Sequence, residues 1–113
     1  RPELAERILM VLVDSLAYTL APMNKSVVIK TIMRRLQIDD PKVAEEGYQD
    51  LMTSIERKPF PSLEGLRNIR RLMATQNPKA ANVKVEDLID ARIIRKLDDN
   101  GYMDKVAAGY GLK

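Results

Sequence analysis

The sequence predicts an all-α protein, with about five helices in a compact, irregular bundle that forms a single helical domain over residues 1–113. Apolar residues recur at spacings of three and four along most of the chain, which is typical of helices that bury one face. None of these segments is a convincing strand. The segments are joined by short connections, as packed helices usually are.

The first two predicted helices cover most of the first third of the chain. The first extends from about Glu3 to Leu20 and is ended by Pro22. Its apolar face consists of Leu4, Ile8, Val11, Leu12, Ser15 and Leu16. The second extends over about 24–37, with Asn24 as its N-cap. Its buried face is expected to consist of Val28, Ile29, Ile32, Met33 and Leu36.

Clear start signals mark the third and fourth helices. Asp40 precedes Pro41, which is typical of an N-cap followed by the first helical residue. The apolar face of the third helix comprises Ala44, Tyr48, Leu51, Met52 and Ile55. Gly47 inside this helix costs about 1 kcal/mol relative to alanine, and close packing of another helix would account for it. After a connector over 57–61, Ser62 caps the fourth helix. Leu63, Leu66, Ile69, Leu72 and Met73 are expected inside.

The last third of the chain predicts shorter elements. Asn77-Pro78 ends the fourth helix. Asp90 is expected to cap a fifth helix that buries Ile93, Ile94 and Leu97, and Gly101 favours a stop after it. The other expected elements are a loop over 79–84, one helical turn over 85–89, one further turn over 102–106 and a frayed end over 107–113.

Composition limits the chemistry available to the chain. It contains no Cys, His or Trp, which excludes thiolate and imidazole catalysis and Cys/His zinc sites. Adjacent carboxylates on a helix point about 100° apart and do not converge on one site. The pairs concerned are Asp39-Asp40, Glu45-Glu46 and Asp98-Asp99. The run from Asp98 to Gly101 lacks the further oxygen ligands of a cation loop. We therefore expect a non-enzyme with no catalytic, cofactor-binding or metal-binding residues.

Basic residues form three groups that raise the possibility of phosphate binding. They are Arg57-Lys58, then Arg67, Arg70 and Arg71, and finally Arg92, Arg95 and Lys96. The net charge is only +3, and acidic and basic residues are mixed along the whole chain. A solvated helix face, partly paired with Glu64, Asp87 and Asp99, is therefore favoured, and no nucleic-acid partner is expected.

Targeting signals are not evident in the sequence. The longest apolar run, Ile8–Val13, is six residues, whereas a membrane span needs about 20. No signal peptide is recognisable. The start at Arg1-Pro2 suggests a processed or excised chain.

Six short runs together resemble a known family. They are Arg1–Ala5, Ile38–Pro41 with Tyr48 following, Lys58–Gly65, Asn77–Ala80, Val85–Asp90 and Leu97–Asp104. Their order and spacing are similar to the C-terminal part of substrate-binding proteins of ABC transporters, in the group that binds nitrate, taurine and sulfonates. That group also includes binding proteins for a thiamine pyrimidine precursor. The resemblance covers nearly the whole chain.

The resemblance implies a fragment of a two-lobed α/β fold of the type II periplasmic-binding class. Such proteins lie in the periplasm or are anchored at the outer face of the cytoplasmic membrane. They pass a small solute, here an organic or inorganic anion, to an ABC permease. Their helical tail packs on the lobes behind the cleft, so no ligand-binding residue is assigned to this chain. The alternatives are a stand-alone helical protein-interaction module and, less favoured, a helical nucleic-acid-binding domain.

The apolar faces that would pack on the lobes need cover, since large exposed apolar patches are rarely tolerated. They are expected to bury against each other or against a second copy of the chain. A homodimer through exposed apolar helix faces is therefore expected.

Overall fold

The computed structural model describes residues 1–112, which form six α-helices and no β-strand. The helices are α1 (Pro2–Leu20), α2 (Lys25–Leu36), α3 (Pro41–Ser54), α4 (Leu63–Ala74), α5 (Arg92–Asp99) and α6 (Tyr102–Gly109). Short 3-10 helices lie at Pro22–Asn24, Pro78–Asn82 and Val85–Leu88. Helical residues make up 76% of the chain, which confirms the all-α class. The sixth helix is one more than the sequence predicts.

The main core lies where α1 packs against α5 and α6. Its buried cluster consists of Val13, Ile94, Leu97 and Met103. The side chain of Leu97 is only 1% exposed, so Ile94 and Leu97 are confirmed as core positions. The hydroxyl of Tyr102 donates a hydrogen bond to the carbonyl oxygen of Met10 at 3.2 Å, which ties α6 to the middle of α1.

Helices α2 and α3 form a second packed pair. Val28, Ala44 and Tyr48 are buried, as predicted. The Lys25 ammonium lies 2.8 Å from Glu45 Oε1 and 5.4 Å from the centroid of the Tyr48 ring, which links the start of α2 to α3. The prediction that Leu36 is buried is wrong, because the end of α2 carries this side chain into solvent.

Helix α4 packs chiefly against the two 3-10 helices that follow it, between Pro78 and Leu88. The prediction that Ile69, Leu72 and Met73 lie inside is wrong, because no other α-helix covers them. Leu72 is 71% exposed. The amphipathic pattern of α4 is real, but the two 3-10 helices cover its apolar side only in part.

Side-chain caps confirm two predicted helix starts, and the other two predicted caps differ from the structure in detail. Asp40 Oδ1 accepts from the Lys42 amide, and Ser62 Oγ accepts from the Gly65 amide, both at 2.9 Å. Asn24 occupies the N-cap position of α2, as predicted, but its side chain makes no capping hydrogen bond. Its side-chain Nδ2 instead donates to the carbonyl oxygen of Tyr18 at 3.0 Å and so satisfies the end of α1. The N-cap position of α5 belongs to Ala91, while the preceding Asp90 accepts from the Arg92 amide.

The C-terminal segment is more ordered than the sequence predicts. Helix α6 continues to Gly109, and Ala107 is only 2% exposed. The Tyr110 hydroxyl donates to Asp14 Oδ1 at 2.8 Å, and the Tyr18 and Tyr110 rings meet edge to face at 5.8 Å. These contacts with α1 hold residues that sequence analysis predicts to be frayed. Lys113, also part of that prediction, lies outside the described residues.

Two short segments in the connection after α4 also differ in detail. The turn predicted over 85–89 is present as the 3-10 helix Val85–Leu88. The loop predicted over 79–84 is instead largely helical, because Asn77 Oδ1 accepts from the Lys79 amide and starts a 3-10 helix over Pro78–Asn82.

The chain is more extended than the predicted compact bundle. Its radius of gyration is 17.2 Å, whereas a compact domain of this length has about 13 Å. Its accessible surface is 8572 Å², against about 6300 Å² for a folded monomer of this mass. The prediction of compactness is therefore wrong, since α4 and its 3-10 helices stand apart from the core. Among the helices of residues 1–112, none combines the length and apolarity needed to cross a lipid bilayer.

Gly47 is not explained by close packing, because a Cβ added there would meet no atom within 4 Å. We expect Gly47→Ala to raise the free energy of unfolding by about 0.5–1 kcal/mol, since alanine restricts the unfolded chain and favours the helix. Chemical denaturation followed by circular dichroism measures the change. Gly101, with φ +82°, is the contrasting position. Gly101→Ala should destabilise the protein, and a stabilising effect there would contradict the backbone described.

Candidate functional site

The outer face of α1 is an exposed apolar surface made by Leu4, Ile8, Val11 and Leu12. Ile8 is 60% and Val11 66% exposed. The residues that α1 buries are Val13 and Ala17, and they lie on the opposite side of the helix. Val13, for example, is two positions after Val11, so the two side chains point about 200° apart around the helix axis. The face that the sequence marks as the apolar side is thus the one left uncovered.

Polar groups on this outer face are already satisfied within the helix. Ser15 Oγ donates to the Val11 carbonyl, and Thr19 Oγ1 donates to the Ser15 carbonyl, each at 2.8 Å. Hydroxyls bonded in this way can be covered by apolar groups without leaving a donor unpaired. The outer face of α1 is therefore suited to burial against a partner along its length.

A second exposed apolar surface lies between α4 and residues 78–88. This α4 groove has a volume of about 270 Å³. Its lining is almost wholly apolar and includes Leu66, Ile69, Met73, Val83 and Leu88. Ile69, Met73 and Leu88 are each more than half exposed, as is the adjacent Leu72. The groove offers a docking surface more than a small-ligand site, because its one polar lining residue, Arg70, is already bonded to the Val83 carbonyl.

Basic side chains beside the α4 groove bond within the chain. Arg67 Nη2 lies 3.2 Å from Glu86 Oε1, and Arg70 Nη1 donates to the carbonyl oxygen of Val83 at 3.0 Å. The predicted partners Glu64 and Asp87 are not the ones used. Two of the three arginines in this group therefore brace α4 against the segment that follows it.

The Arg57-Lys58 pair fixes the connector to α5 and α6. Arg57 donates to the Met103 carbonyl and to Asp104 Oδ1, both at 3.1 Å. Lys58 lies 2.6 Å from Asp98 Oδ1 and 3.4 Å from Asp104 Oδ1. Hydrogen bonding to Asp98 raises the pKa of Lys58, and bonding to Arg57 and Lys58 lowers the pKa of Asp104. Asp98 and Asp104 are the acidic partners here, and the predicted partner Asp99 is not among them.

The third basic group is also partly paired. Arg92 binds both carboxylate oxygens of Asp90, and these hydrogen bonds lower the pKa of Asp90 to about 2. Lys96 lies 2.9 Å from Glu6 Oε2, which links α5 to the start of α1. Much of the positive charge in the three groups is thus engaged in intramolecular pairs that weaken its use for phosphate binding.

The acidic pairs do not meet at a common site. Asp40 serves as a helix cap, Glu45 pairs with Lys25 and Asp98 pairs with Lys58. Within residues 1–112, no group of three or more acidic side chains is arranged to hold a metal ion. The absence of catalytic and cofactor-binding residues stays a prediction.

The connector ion pairs predict a pH-dependent stability. The pKa of Asp104 in the folded protein lies below its ordinary value of 3.8, so folding favours the ionised carboxylate. Its contribution is complete above pH 3.8 and is lost as pH falls through the lowered pKa. We expect Asp104→Asn to flatten the fall of Tm with acidity below that pH. Asp99→Asn is the control, and equal flattening by both variants would contradict the assignment.

Sequence analysis missed that the outer face of α1 is exposed. A usable signal was present, because Leu9, Val13 and Ala17 make the opposite side of the same helix apolar as well. The charged residues of α1, such as Arg7 and Asp14, are confined to one strip, and a helix that is apolar over most of its surface is normally buried on most sides. In residues 1–112 only one side of α1 is covered.

Comparisons with known proteins give no relative. No protein-family model matches the sequence, no curated protein matches it, and no solved structure matches the fold. Function is therefore inferred from the residues and their arrangement.

Proposed function

We propose that this chain is the C-terminal helical region of a periplasmic solute-binding protein, which serves ABC-type uptake of a small organic or inorganic anion such as nitrate, taurine or another sulfonate. The six ordered sequence runs support the assignment. In such a protein the helical region packs on the lobes, and the lobes hold the solute and meet the permease.

The observation that carries the proposal is the excess of exposed surface. The chain exposes 8572 Å², roughly 2000 Å² more than an independent domain of its mass. An excess of this size is comparable to a large protein–protein interface. It is what a helical layer exposes when the sheets that it covers are not beside it.

The α4 groove is the surface that we assign to the lobes. Ile69, Leu72 and Met73 form an apolar surface that stays more than half exposed beside the 3-10 helices. Arg67 and Arg70 already bond to Glu86 and Val83, so they hold the two walls of the groove together. A braced apolar groove of this kind is suited to a permanent interface inside a larger protein.

The proposal is tested by ligand-induced stabilisation of the mature protein that contains this chain. Tm is measured with nitrate, taurine and an alkanesulfonate in turn. A bound anion at 100 times its Kd should stabilise the protein by about 2.7 kcal/mol. The 113-residue chain alone is the matched control and should show no shift, because the proposed cleft lies outside it. A mature protein whose Tm no anion raises would contradict the proposal.

A stand-alone helical interaction module is the second candidate, and the outer face of α1 favours it. That face is long and apolar, and its Ser15 and Thr19 hydroxyls are bonded within the helix, as suits a helix-binding surface. The two candidate functions predict native proteins of different length. The module predicts a native product that begins near Arg1, whereas the binding protein predicts a much longer one.

A further inference from the structure

The outer face of α1 carries the pattern of a coiled-coil seam. We propose that it pairs with the same face of a second copy of this chain, in an antiparallel two-helix arrangement that places Arg7 of each copy beside Asp14 of the other. This inference goes beyond the proposed function, because it concerns contact between copies and not contact between the helices and the lobes.

The seam follows from the spacing of the exposed residues. Leu4, Ile8, Val11, Ser15 and Tyr18 are separated by four, three, four and three positions and are all exposed. This is the alternation of core positions in a coiled coil. Leu12 lies on one edge of the seam. Arg7 and Asp14 are seven residues apart, so they share the other edge.

The two charged residues select the antiparallel orientation. In an antiparallel helix pair, like edges of the two helices meet, and twofold symmetry requires each contact to occur twice. Arg7 then faces Asp14 of the other copy on both sides of the axis. In a parallel pair the edge with Arg7 would meet the edge with Leu12, which offers no carboxylate to the guanidinium.

The same charges select the register. With Arg7 beside Asp14 of the other copy, Ile8 packs on Val11 and Leu4 packs beside Ser15. A slip of one heptad places either two Arg7 side chains or two Asp14 side chains together, and such like-charge contacts disfavour the slipped pairs. The face is therefore self-complementary in one orientation and one register.

Both charged groups are available for the contact. Arg7 belongs to no ion pair among residues 1–112. Asp14 accepts the Tyr110 hydroxyl through Oδ1, which leaves Oδ2 for a second donor. The Ser15 hydroxyl is bonded to its own helix and tolerates the apolar Leu4 opposite it.

Sedimentation equilibrium of the 113-residue chain over a range of concentrations tests the pairing. The expected result is a reversible monomer–dimer equilibrium. Arg7→Glu and Asp14→Arg should each weaken self-association by at least about tenfold, because each places like charges together at both symmetric contacts. An equimolar mixture of the two variants should form a heterodimer, because both contacts then again join opposite charges.

Three further variants distinguish loss of the proposed contact from misfolding and from effects at other surfaces. Tyr110→Phe removes the same hydrogen bond that Asp14→Arg removes but leaves the charge pair, so it should still dimerise. Ile8→Glu, at an exposed position that folding does not need, should abolish the dimer even if Asp14→Arg fails to fold. Leu36→Glu, exposed on α2, should leave it unchanged.

Either of two results would overturn self-association through the outer face of α1. One is a wild-type chain that stays monomeric at all concentrations. The other is a dimer that Leu36→Glu abolishes and Ile8→Glu does not. The antiparallel register would be overturned by a dimer that neither charge variant weakens. It would also be overturned if an equimolar mixture of the two charge variants formed no heterodimer. None of these outcomes bears on anion binding by the mature protein, so the two proposals fail separately.

Discussion

Leu97→Ala will lower the free energy of unfolding by about 2–5 kcal/mol, because the truncation opens a cavity in the core between α1, α5 and α6. Leu97 is almost fully buried and packs with Val13, Ile94 and Met103. This is the main buried apolar cluster of the described chain, so its loss removes a large share of a stability that is small in total. Urea denaturation followed by circular dichroism measures the change.

The matched control for this variant is Leu72→Ala. The same atoms are removed, but Leu72 lies on the uncovered side of α4. We expect a change within about 0.5 kcal/mol, as is usual for an exposed position. Equal losses for the two variants would show that the apolar side of α4 is covered in the isolated chain and would contradict the arrangement described above.

Ala107→Asp is the second substitution with a large expected effect. Ala107 packs in α6 where that helix meets α1 and has almost no exposed surface. An unpaired carboxylate buried at this position is expected to cost about 3 kcal/mol or more. Thermal unfolding followed by circular dichroism measures the loss as a fall in Tm.

Ala108 provides the control for this second prediction. It is the next residue along α6, has the same side chain and is exposed. Ala108→Asp should change the stability by no more than about 0.5 kcal/mol. If Ala107→Asp were equally harmless, residues 107–112 would be frayed, as the sequence predicts, and α6 would end earlier than the structure places it.

Local signals in the sequence predict most of the secondary structure. Asp40-Pro41 and Ser62 each mark a helix start, and Gly101 marks the end of α5, because capping and positive φ depend on residues only a few positions apart. The apolar period likewise identifies α1 to α4. Predictions of this kind hold because the interactions that decide them are short in sequence.

The covered faces could not be predicted from the same pattern. Periodicity shows that Leu4, Ile8 and Leu72 lie on apolar sides of their helices. Whether such a side is buried depends on which other elements pack against it. In α1 the covered side is that of Val13 and Ala17. The exposed outer face of α1 and the α4 groove are therefore findings of the structure, and they carry both proposals.

Long-range contacts explain why the prediction of a frayed C-terminal segment is wrong. The hydrogen bond from Tyr110 to Asp14 joins residues 96 positions apart, and that from Tyr102 to Met10 joins residues 92 positions apart. Nothing near residue 107 in the sequence signals these contacts. A terminal segment without visible anchors is reasonably expected to fray, and here α1 supplies the anchors.

The most direct test of the proposed function is the intact mass and N-terminal sequence of the native protein, purified from the cell that makes it. We predict a mature chain about two to three times as long as this one, because two α/β lobes of ordinary domain size must be added. That result would place the solute site in the additional sequence. A native product that begins at or near Arg1 would contradict the proposal, because no lobes would then exist to form a cleft.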